Sequence, residues 1–280
     1  MDNKKFILNA DGFGMSKARN KAILTGYNMG FLSSASICAN GKAFNSAVNE
    51  VLPECSELGI GVHLNIVKGK ALTKNKTLTN KKNRFNNNFL SLWLKSHNSE
   101  FLKEVEKEFR AQIEMVQRYT KIDHINSYAH IHSIPNIFKI VLKLAQEYQI
   151  PFIRTEYEEL YFASGIIKHL APVYPMNLLK SFILNHFAKK NKHYMANSSV
   201  ITNDYLIGIC YAGILDADAI ESGLSALEDD CIAEAVIYPC LYANNKKDRY
   251  YREFSIARNK TLEDSIKRMG FEITNYKKLS

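Results

Sequence analysis

The chain has 280 residues, of which 46% are hydrophobic and 11% aromatic, so it is long enough to bury a large core in one domain. Its formal net charge is +9 at pH 7, but the positive charge is spread out apart from one segment, residues 68–88. Zinc-finger spacing, an RNA-binding aromatic signature and a basic helix are all lacking, which argues against a nucleic-acid partner. We therefore interpret residues 68–88 as a basic, flexible, solvated loop, with anionic surfaces or glycans as alternative partners.

Cysteine spacing and hydropathy limit the compartment. The five cysteines are odd in number and widely spaced without a CxxC pair, which predicts neither a zinc knuckle nor a disulfide framework. The N-terminal apolar run is too short for a signal peptide, and no stretch approaches the roughly 18–20 apolar residues that span a bilayer. These features predict a cytoplasmic protein without a membrane partner.

Short apolar runs alternate with amphipathic segments along the chain. The first run, residues 5–10, predicts a buried strand, and Ser16 can cap a following helix that ends at Gly30. The further predicted strands are 32–38, 58–66, 121–126, 151–156, 205–210, 232–239 and 271–276. The other predicted helices are 42–52, 101–116, 135–149, 216–227 and a last one that ends at Gly270. The segment 160–200 is treated as an insertion of uncertain structure.

This alternation favours a parallel sheet. Seven or so strand–helix units in 280 residues fit a closed or nearly closed (β/α) barrel in one domain, residues 1–280, better than an open doubly wound sheet. A dinucleotide fold would place a GxGxxG fingerprint after the first strand, and "DGFGMS" lacks that spacing.

Polar side chains follow the predicted strands, and a parallel barrel carries its active site at the carboxyl ends of its strands. These residues are Asp11, His63, Asn65, Tyr128, His130, His132, Arg154, Glu156 and Tyr238. Acid, imidazole, phenol and guanidinium groups at one end of a barrel suit hydrolysis or proton transfer on a polar substrate. Taken singly, Asp11 could merely cap the following helix, and His63 could be a structural histidine.

With these residues in hand, the chain resembles the YdjC-like family of carbohydrate deacetylases, which includes chitooligosaccharide deacetylases. The motifs that carry the resemblance are "NADGFGMS" near the start, "GVHLNIVKGKAL" (61–72), "HINSYAHIHSIP" (124–135), "PFIRTE" (151–156) and "GFEITNYKKL" (270–279). They occur in order and span nearly the whole chain.

The resemblance implies a distorted (β/α) barrel that uses a divalent metal, Mg²⁺ or Zn²⁺, to hydrolyse the N-acetyl group of an acetylated amino sugar or oligosaccharide. Asp11 matches the general base and His63 a metal ligand, and a histidine would protonate the leaving amine. The substrate-binding residues expected on this basis are Asn65, His130, His132, Arg154 and Tyr238.

The departures from the family pattern concern the metal ligands. The family has two consecutive aspartates near the start, whereas here Gly12 replaces the second, a metal ligand. Tyr128 replaces another metal-ligand histidine, Asn126 replaces an aspartate, and Tyr238 replaces the histidine of a His-Pro-Gly motif. One neutral imidazole, that of His63, is a poor site for a hard divalent cation.

Three hypotheses remain open from the sequence. In the first, the chain is an active deacetylase with a rebuilt site, in which His63 with Tyr128 or a nearby histidine holds the metal. In the second it is catalytically inactive, uses no cofactor and binds a carbohydrate or regulates a partner, with Tyr128 and Tyr238 contacting the sugar. In a third, weaker hypothesis the two phenols and an imidazole favour ferric iron. A homodimer also stays open.

Overall fold

The computed structural model describes residues 4–165, 171–228, 230–241 and 248–280. The strands are β1 (Lys5–Phe13), β2 (Ser34–Ile37), β3 (Gly59–Leu64), β4 (His124–Ser127), β5 (Phe152–Ile153), β6 (Tyr205–Ile207), β7 (Ile232–Ile237) and β8 (Glu272–Ile273). The α-helices are α1 (Lys17–Met29), α2 (Phe44–Ser46), α3 (Phe89–Lys95), α4 (Ser99–Gln117), α5 (Pro135–Glu147), α6 (Tyr174–Met195), α7 (Ala217–Ser225), α8 (Arg249–Ile256), α9 (Lys260–Arg268) and α10 (Tyr276–Leu279).

The strands form one parallel sheet in the order β5-β4-β3-β2-β1-β7-β6, and β8 pairs with the start of β1. Its two edges approach each other outside the regular ladders. The N–H of Ile153 donates to the carbonyl of Ile201 at 3.0 Å, and that of Leu206 to the carbonyl of Tyr157 at 2.7 Å. The sheet is therefore a distorted, incompletely paired barrel with flanking helices, which confirms the predicted fold.

β1 lies at the centre of the sheet and carries the opening motif. It pairs with β7 from Lys5 to Ala10 and with β2 from Asn9 onward, and the register to β2 shifts between Asp11 and Phe13. Gly12, at the shift, has φ +84°, a left-handed conformation that glycine adopts without strain. Gly12 thus forms a β-bulge that interrupts the pairing with β2 directly after Asp11, before it resumes at Phe13.

The helices predicted after β1 and after β2 agree with the structure to different degrees. The Ser16 hydroxyl accepts the N–H of Arg19 at 3.3 Å and caps α1, as predicted. The regular helix predicted for 42–52 is wrong in detail, because only Phe44–Ser46 is α-helical. A π-helical turn (Ala47–Val51) and a 3₁₀ turn (Leu52–Glu54) follow, and Pro53 has no N–H to extend an α-helical ladder.

The amphipathic helix predicted for 101–116 is confirmed as α4. Its apolar positions at three- and four-residue spacing are buried against the sheet: Phe101, Val105, Phe109, Ile113 and Val116. On the side of α4 that faces the basic loop 68–88, Glu104 accepts the N–H groups of Lys76 and Thr77 at 2.7 and 2.8 Å. Glu108 accepts that of Thr73 at 2.9 Å. The basic loop is thus attached to α4 through carboxylates.

The segment 160–200 contains a long helix. α6 has 22 residues, and residues 166–170 of the segment lie outside the described part of the chain. None of the described helices is both long and apolar enough to cross a bilayer.

Candidate active site

Four buried residues form a charged network at the centre of the barrel, which we call the floor network: Asp11, Arg154, Glu234 and Tyr276. The Arg154 guanidinium donates Nη1 to Asp11 Oδ2 at 3.0 Å and Nη2 to Asp11 Oδ1 at 2.8 Å. Its Nε lies 3.0 Å from both oxygens of Glu234, whose Oε2 also accepts the Tyr276 hydroxyl at 2.6 Å. Charged groups at this depth are tolerated because each is paired and hydrogen-bonded.

Asp11 accepts further hydrogen bonds from side chains on its own strand, on β2 and on β4. Its Oδ1 accepts the side-chain amides of Asn9 at 2.9 Å and Asn126 at 3.2 Å, and the hydroxyl of Ser36 at 3.1 Å. Burial alone would raise the pKa of this carboxyl, but the Arg154 pair outweighs burial and holds the pKa far below its usual value. Asp11 is therefore an ionised carboxylate that accepts hydrogen bonds from Arg154 and from three neutral side chains.

His63 lies beside this carboxylate at the end of β3. Its Nδ1 is 2.7 Å from Asn126 Oδ1, 3.3 Å from the Ser36 hydroxyl and 3.9 Å from Asp11 Oδ2. Burial lowers the pKa of the imidazole, although Asp11 opposes that shift. Its Nε2 is buried and has no hydrogen-bond partner among the described residues. His63 is therefore a neutral imidazole whose Nε2 makes no hydrogen bond to the described residues.

A second buried group joins the two histidines of "HIH" to Glu156. His130 Nδ1 is 2.7 Å from Glu156 Oε2, and His132 Nε2 is 3.3 Å from Oε1. Burial raises the pKa of Glu156 to about 7 and lowers that of His132 to about 4. His132 is held in place by Ser127, whose hydroxyl lies 2.6 Å from its Nδ1. Near neutral pH the two imidazoles are thus neutral, and the Glu156 carboxyl is present in both its protonated and its ionised form.

The backbone before His132 adopts an uncommon conformation. Ala129 and His130 have φ of 56° and 59°, so two successive residues with a Cβ lie in the left-handed region. Such residues cost of order 1–3 kcal/mol each and persist where the surroundings impose them. This turn brings both histidines to one carboxyl, a placement that sequence spacing leaves undetermined.

Tyrosines lie at the outer edge of the site. The Tyr128 ring packs edge-on to His63 with centroids 6.2 Å apart, and the Lys68 ammonium lies 5.4 Å from its centroid. Tyr238 is half-buried, and burial followed by the nearby Asp11 raises the pKa of its hydroxyl far above the usual value. Tyr238 thus presents a neutral phenol.

Asn65 has a different environment from the other predicted residues. Its Oδ1 accepts the N–H groups of Val67 and Lys68 at 3.0 and 3.1 Å, and its Nδ2 donates to Asn40 Oδ1 at 3.0 Å. Its side chain is committed to the turn after β3, so a role in substrate binding stays a prediction.

The donor atoms for a divalent metal do not form a set. Gly12 supplies no side chain, Asp11 is engaged by Arg154, and Tyr128 carries a phenol hydroxyl instead of an imidazole. Among the expected ligands, His63 Nε2 and His130 Nδ1 lack a hydrogen-bond partner, and His130 Nδ1 faces Glu156 Oε2 at 2.7 Å. Across the described ranges, no three His, Cys, Asp or Glu side chains are grouped as a metal site. These residues do not fit a Mg²⁺ or Zn²⁺ ion.

Comparison with known proteins decides the family. The model of the YdjC-like protein family matches residues 5–268. The chain belongs to the YdjC-like family. It is 31% identical to a carbohydrate deacetylase from Clostridium beijerinckii over 223 residues, which are 78% of this chain and 85% of that protein. A carbohydrate deacetylase from Brevibacillus brevis is 37% identical over 149 residues, 52% of this chain and 58% of that protein.

A solved structure supports the barrel of this family member. It is that of a putative cellobiose-phosphate cleavage protein from Enterococcus faecalis, with a TM-score of 0.77, 20% identity and coverage of 99% of both chains. At this identity the likeness extends to the fold alone.

Sequence reasoning missed several residues of the site. Glu234 is a single charged residue inside the apolar strand "IAEAVI", and a carboxylate there requires a buried partner, which was a usable signal. Lys180 reaches the site from α6 and lowers the pKa of both His130 and Glu156. For His130 burial is the larger cause and acts in the same direction, whereas for Glu156 burial raises the pKa and Lys180 opposes it. No sequence pattern marks Lys180, since α6 lies in the segment without readable periodicity.

Proposed function

We propose that this YdjC-like protein binds an N-acetylated amino sugar at the carboxyl end of its barrel and does not hydrolyse it with a divalent metal. The observation that carries the proposal is the donor set: beside the unpartnered His63 Nε2 stand Gly12, which has no side chain, and the phenol of Tyr128. Family membership and relatives named carbohydrate deacetylase support an acetylated sugar as the ligand.

The chemistry of Asp11 supports the same proposal. A general base must accept a proton near the working pH, and its efficiency falls when its pKa lies far below that pH. Asp11 is bound by Arg154 through both oxygens, which holds its pKa far below the usual value. The carboxylate is therefore suited to fixing the barrel floor and orienting hydrogen-bond donors.

The two tyrosines supply surfaces for a sugar. Tyr128 and Tyr238 are half-buried, and each offers an aromatic face and a hydroxyl. Such rings pack on the apolar faces of pyranoses and hydrogen-bond to their hydroxyls. We expect Tyr128→Ala to weaken sugar binding about tenfold, because it removes one such surface of the size that dominates binding energies.

Metal-independent amide hydrolysis is the second candidate, and the Glu156 cluster favours it. A carboxyl with a pKa of about 7, 2.7 Å from His130, can release or take up a proton at neutral pH. In that case the Glu156 carboxylate would take a proton from the water that attacks the amide carbonyl and return it to the nitrogen as the C–N bond breaks, which releases acetate and the free amine. Glu156 lies on the same side of the barrel as Asp11, because it follows Arg154 by two residues and Arg154 binds Asp11.

Sugar binding and acetate release, measured together, test these alternatives. We expect N-acetylglucosamine oligomers to bind, with no acetate released in the presence of added Mg²⁺, Mn²⁺ or Zn²⁺. Release that requires the metal and disappears in His63→Ala contradicts the proposal. Release that persists with chelator and disappears in Glu156→Gln establishes the second candidate instead. A lack of binding by any oligomer rejects the sugar ligand.

A further inference from the structure

Arg19 lies next to Gly12 with an unused nitrogen. It belongs to the first turn of α1, and its Nη1 is buried without a hydrogen-bond acceptor within the described part of the chain. A Cβ atom at position 12 would lie 3.6 Å from this Nη1 and 2.9 Å from Met15 Sδ. The guanidinium therefore borders the space that a side chain at position 12 would enter.

An aromatic ring holds this guanidinium in place. The Arg19 Cζ lies 4.8 Å from the centroid of Tyr250, and Arg249 Cζ lies 4.8 Å from the same centroid. A cation–π contact fixes the plane of a guanidinium while leaving its N–H groups unused. Arg19 is thus positioned without a carboxylate that would occupy Nη1.

The charges around Tyr250 are mainly positive. The pKa of Lys68 is raised, mainly by its contact with Tyr128, and Lys68 also interacts with Tyr250. An acidic neighbour is the buried Glu253, which accepts the N–H of Tyr238 at 2.5 Å and lies 3.6 Å from Arg249 Nε. A second carboxylate, Asp248, accepts the N–H of Tyr250 at 3.0 Å. These two engaged carboxylates stand against three cations, Arg19, Arg249 and Lys68, so the described residues around Tyr250 carry a net positive charge.

We propose that Arg19 anchors an oxyanion subsite at the mouth of the barrel, flanked by Lys68, and that the ligand carries a carboxylate or a phosphate there. A buried N–H without an acceptor is costly, and a ligand oxyanion supplies the acceptor with a charge-assisted hydrogen bond. An aspartate at position 12 would neutralise this guanidinium, whereas Gly12 leaves it available. That the ligand is a sugar rests on the proposed function; that it is anionic rests on Arg19.

Isothermal titration with matched sugars tests the subsite. The probes are N-acetylneuraminic acid, its methyl ester, N-acetylglucosamine and N-acetylglucosamine 6-phosphate, so that charge and its source vary separately. In the wild-type protein we expect at least one charged sugar to bind about tenfold tighter than its neutral counterpart. Whether the acid or the phosphate shows the gain identifies the oxyanion.

Two variants at the subsite and one outside it complete the test. Arg19→Gln should reduce the charged-to-neutral ratio to about one and leave N-acetylglucosamine binding unchanged, whereas Arg118→Gln, at an exposed arginine, should keep the wild-type ratio. Gly12→Asp should also abolish the ratio, because its carboxylate would pair with Arg19. Equal affinity for charged and neutral sugars in the wild type, or an unchanged ratio in Arg19→Gln, overturns the subsite while sugar binding stands. A failure of all four sugars overturns both proposals.

Discussion

The floor network and the mouth of the barrel differ in how their polar groups are satisfied. In the floor network, Arg154 pairs with Asp11 and Glu234, and Tyr276 completes the set of hydrogen bonds. At the mouth, His63 Nε2 and Arg19 Nη1 are buried without acceptors or donors in the described ranges. Buried polar groups with hydrogen-bond partners stabilise a fold, whereas a buried polar atom without a partner is one that a ligand can pair with. The comparison locates stability in the floor network and ligand recognition at the mouth.

The largest expected effect is that of breaking the floor network. Arg154→Met would leave Asp11 and Glu234 as buried, unpaired carboxylates, and we expect it to cost about 3–5 kcal/mol in the free energy of unfolding. The measurement is urea unfolding of the variant and the wild type. The control is Arg110→Met, at a partly exposed arginine that pairs with Glu147 and Glu106 and donates to the Tyr148 hydroxyl, and it should cost about 1 kcal/mol because solvent screens these pairs. Equal losses in the two variants would contradict a floor network held by buried charge.

The Glu156 cluster should give the fold a specific pH dependence. Its folded pKa of about 7 lies above the ordinary 4.5, so between these values the folded protein keeps a proton that the unfolded chain releases. Stability from this group therefore falls as the pH rises through that window, by about 3 kcal/mol in total. Subtracting the unfolding free energies of Glu156→Gln from those of the wild type, pH by pH, isolates this fall. Parallel curves for the two proteins would show that Glu156 titrates normally.

A single hydrogen bond of the floor network gives a smaller effect. Tyr276→Phe removes the hydroxyl that donates to Glu234 at 2.6 Å and leaves the Arg154 pair in place. We expect a cost of about 2 kcal/mol, the usual value for a hydrogen bond to a charged group. Tyr119→Phe, at an exposed ring, should change the unfolding free energy by less than about 0.5 kcal/mol. If Tyr276→Phe leaves the unfolding free energy unchanged, the hydrogen bonds from Arg154 alone are sufficient for Glu234.

The smallest effect is expected at the mouth. Gly12 and Gly270 have φ of +84° and +87°, and a Cβ at position 270 meets nothing within 4 Å. Gly270→Ala therefore measures the conformational cost alone, about 1 kcal/mol. Gly12→Ala should cost about the same, because the atom that a Cβ would touch, Met15 Sδ, ends a flexible side chain. A loss as large as that of Arg154→Met would place position 12 in the stabilising part of the site.

The parts of the site that the sequence predicts follow from strand ends. The apolar run before Asp11 and the short strand before Arg154 are readable, and parallel strands bring both residues to one end of a barrel. His130 and His132 could not be placed, because two successive left-handed residues form their turn. Arg19 gave no signal, since a cation in the first turn of a helix is ordinary until the space beside Gly12 is known.

The family resemblance and the structure answer different questions about the opening motif. The resemblance correctly assigned the family and the barrel, and it identified Gly12 as a departure. The structure adds that Gly12 forms a β-bulge with a guanidinium beside it. On our proposal, this corner therefore presents a guanidinium to an oxyanion, where the family pattern has a carboxylate.

Metal stoichiometry tests the central claim most directly. The purified protein and its His63→Ala variant would be dialysed against Zn²⁺ or Mn²⁺ and the bound metal measured by mass spectrometry. Because the described residues contain no group of three ligand side chains, and the unpartnered His130 Nδ1 faces Glu156, we expect wild type and variant to retain the same amount, without a stoichiometric site. One equivalent of metal on the wild type that is lost in His63→Ala would contradict the account.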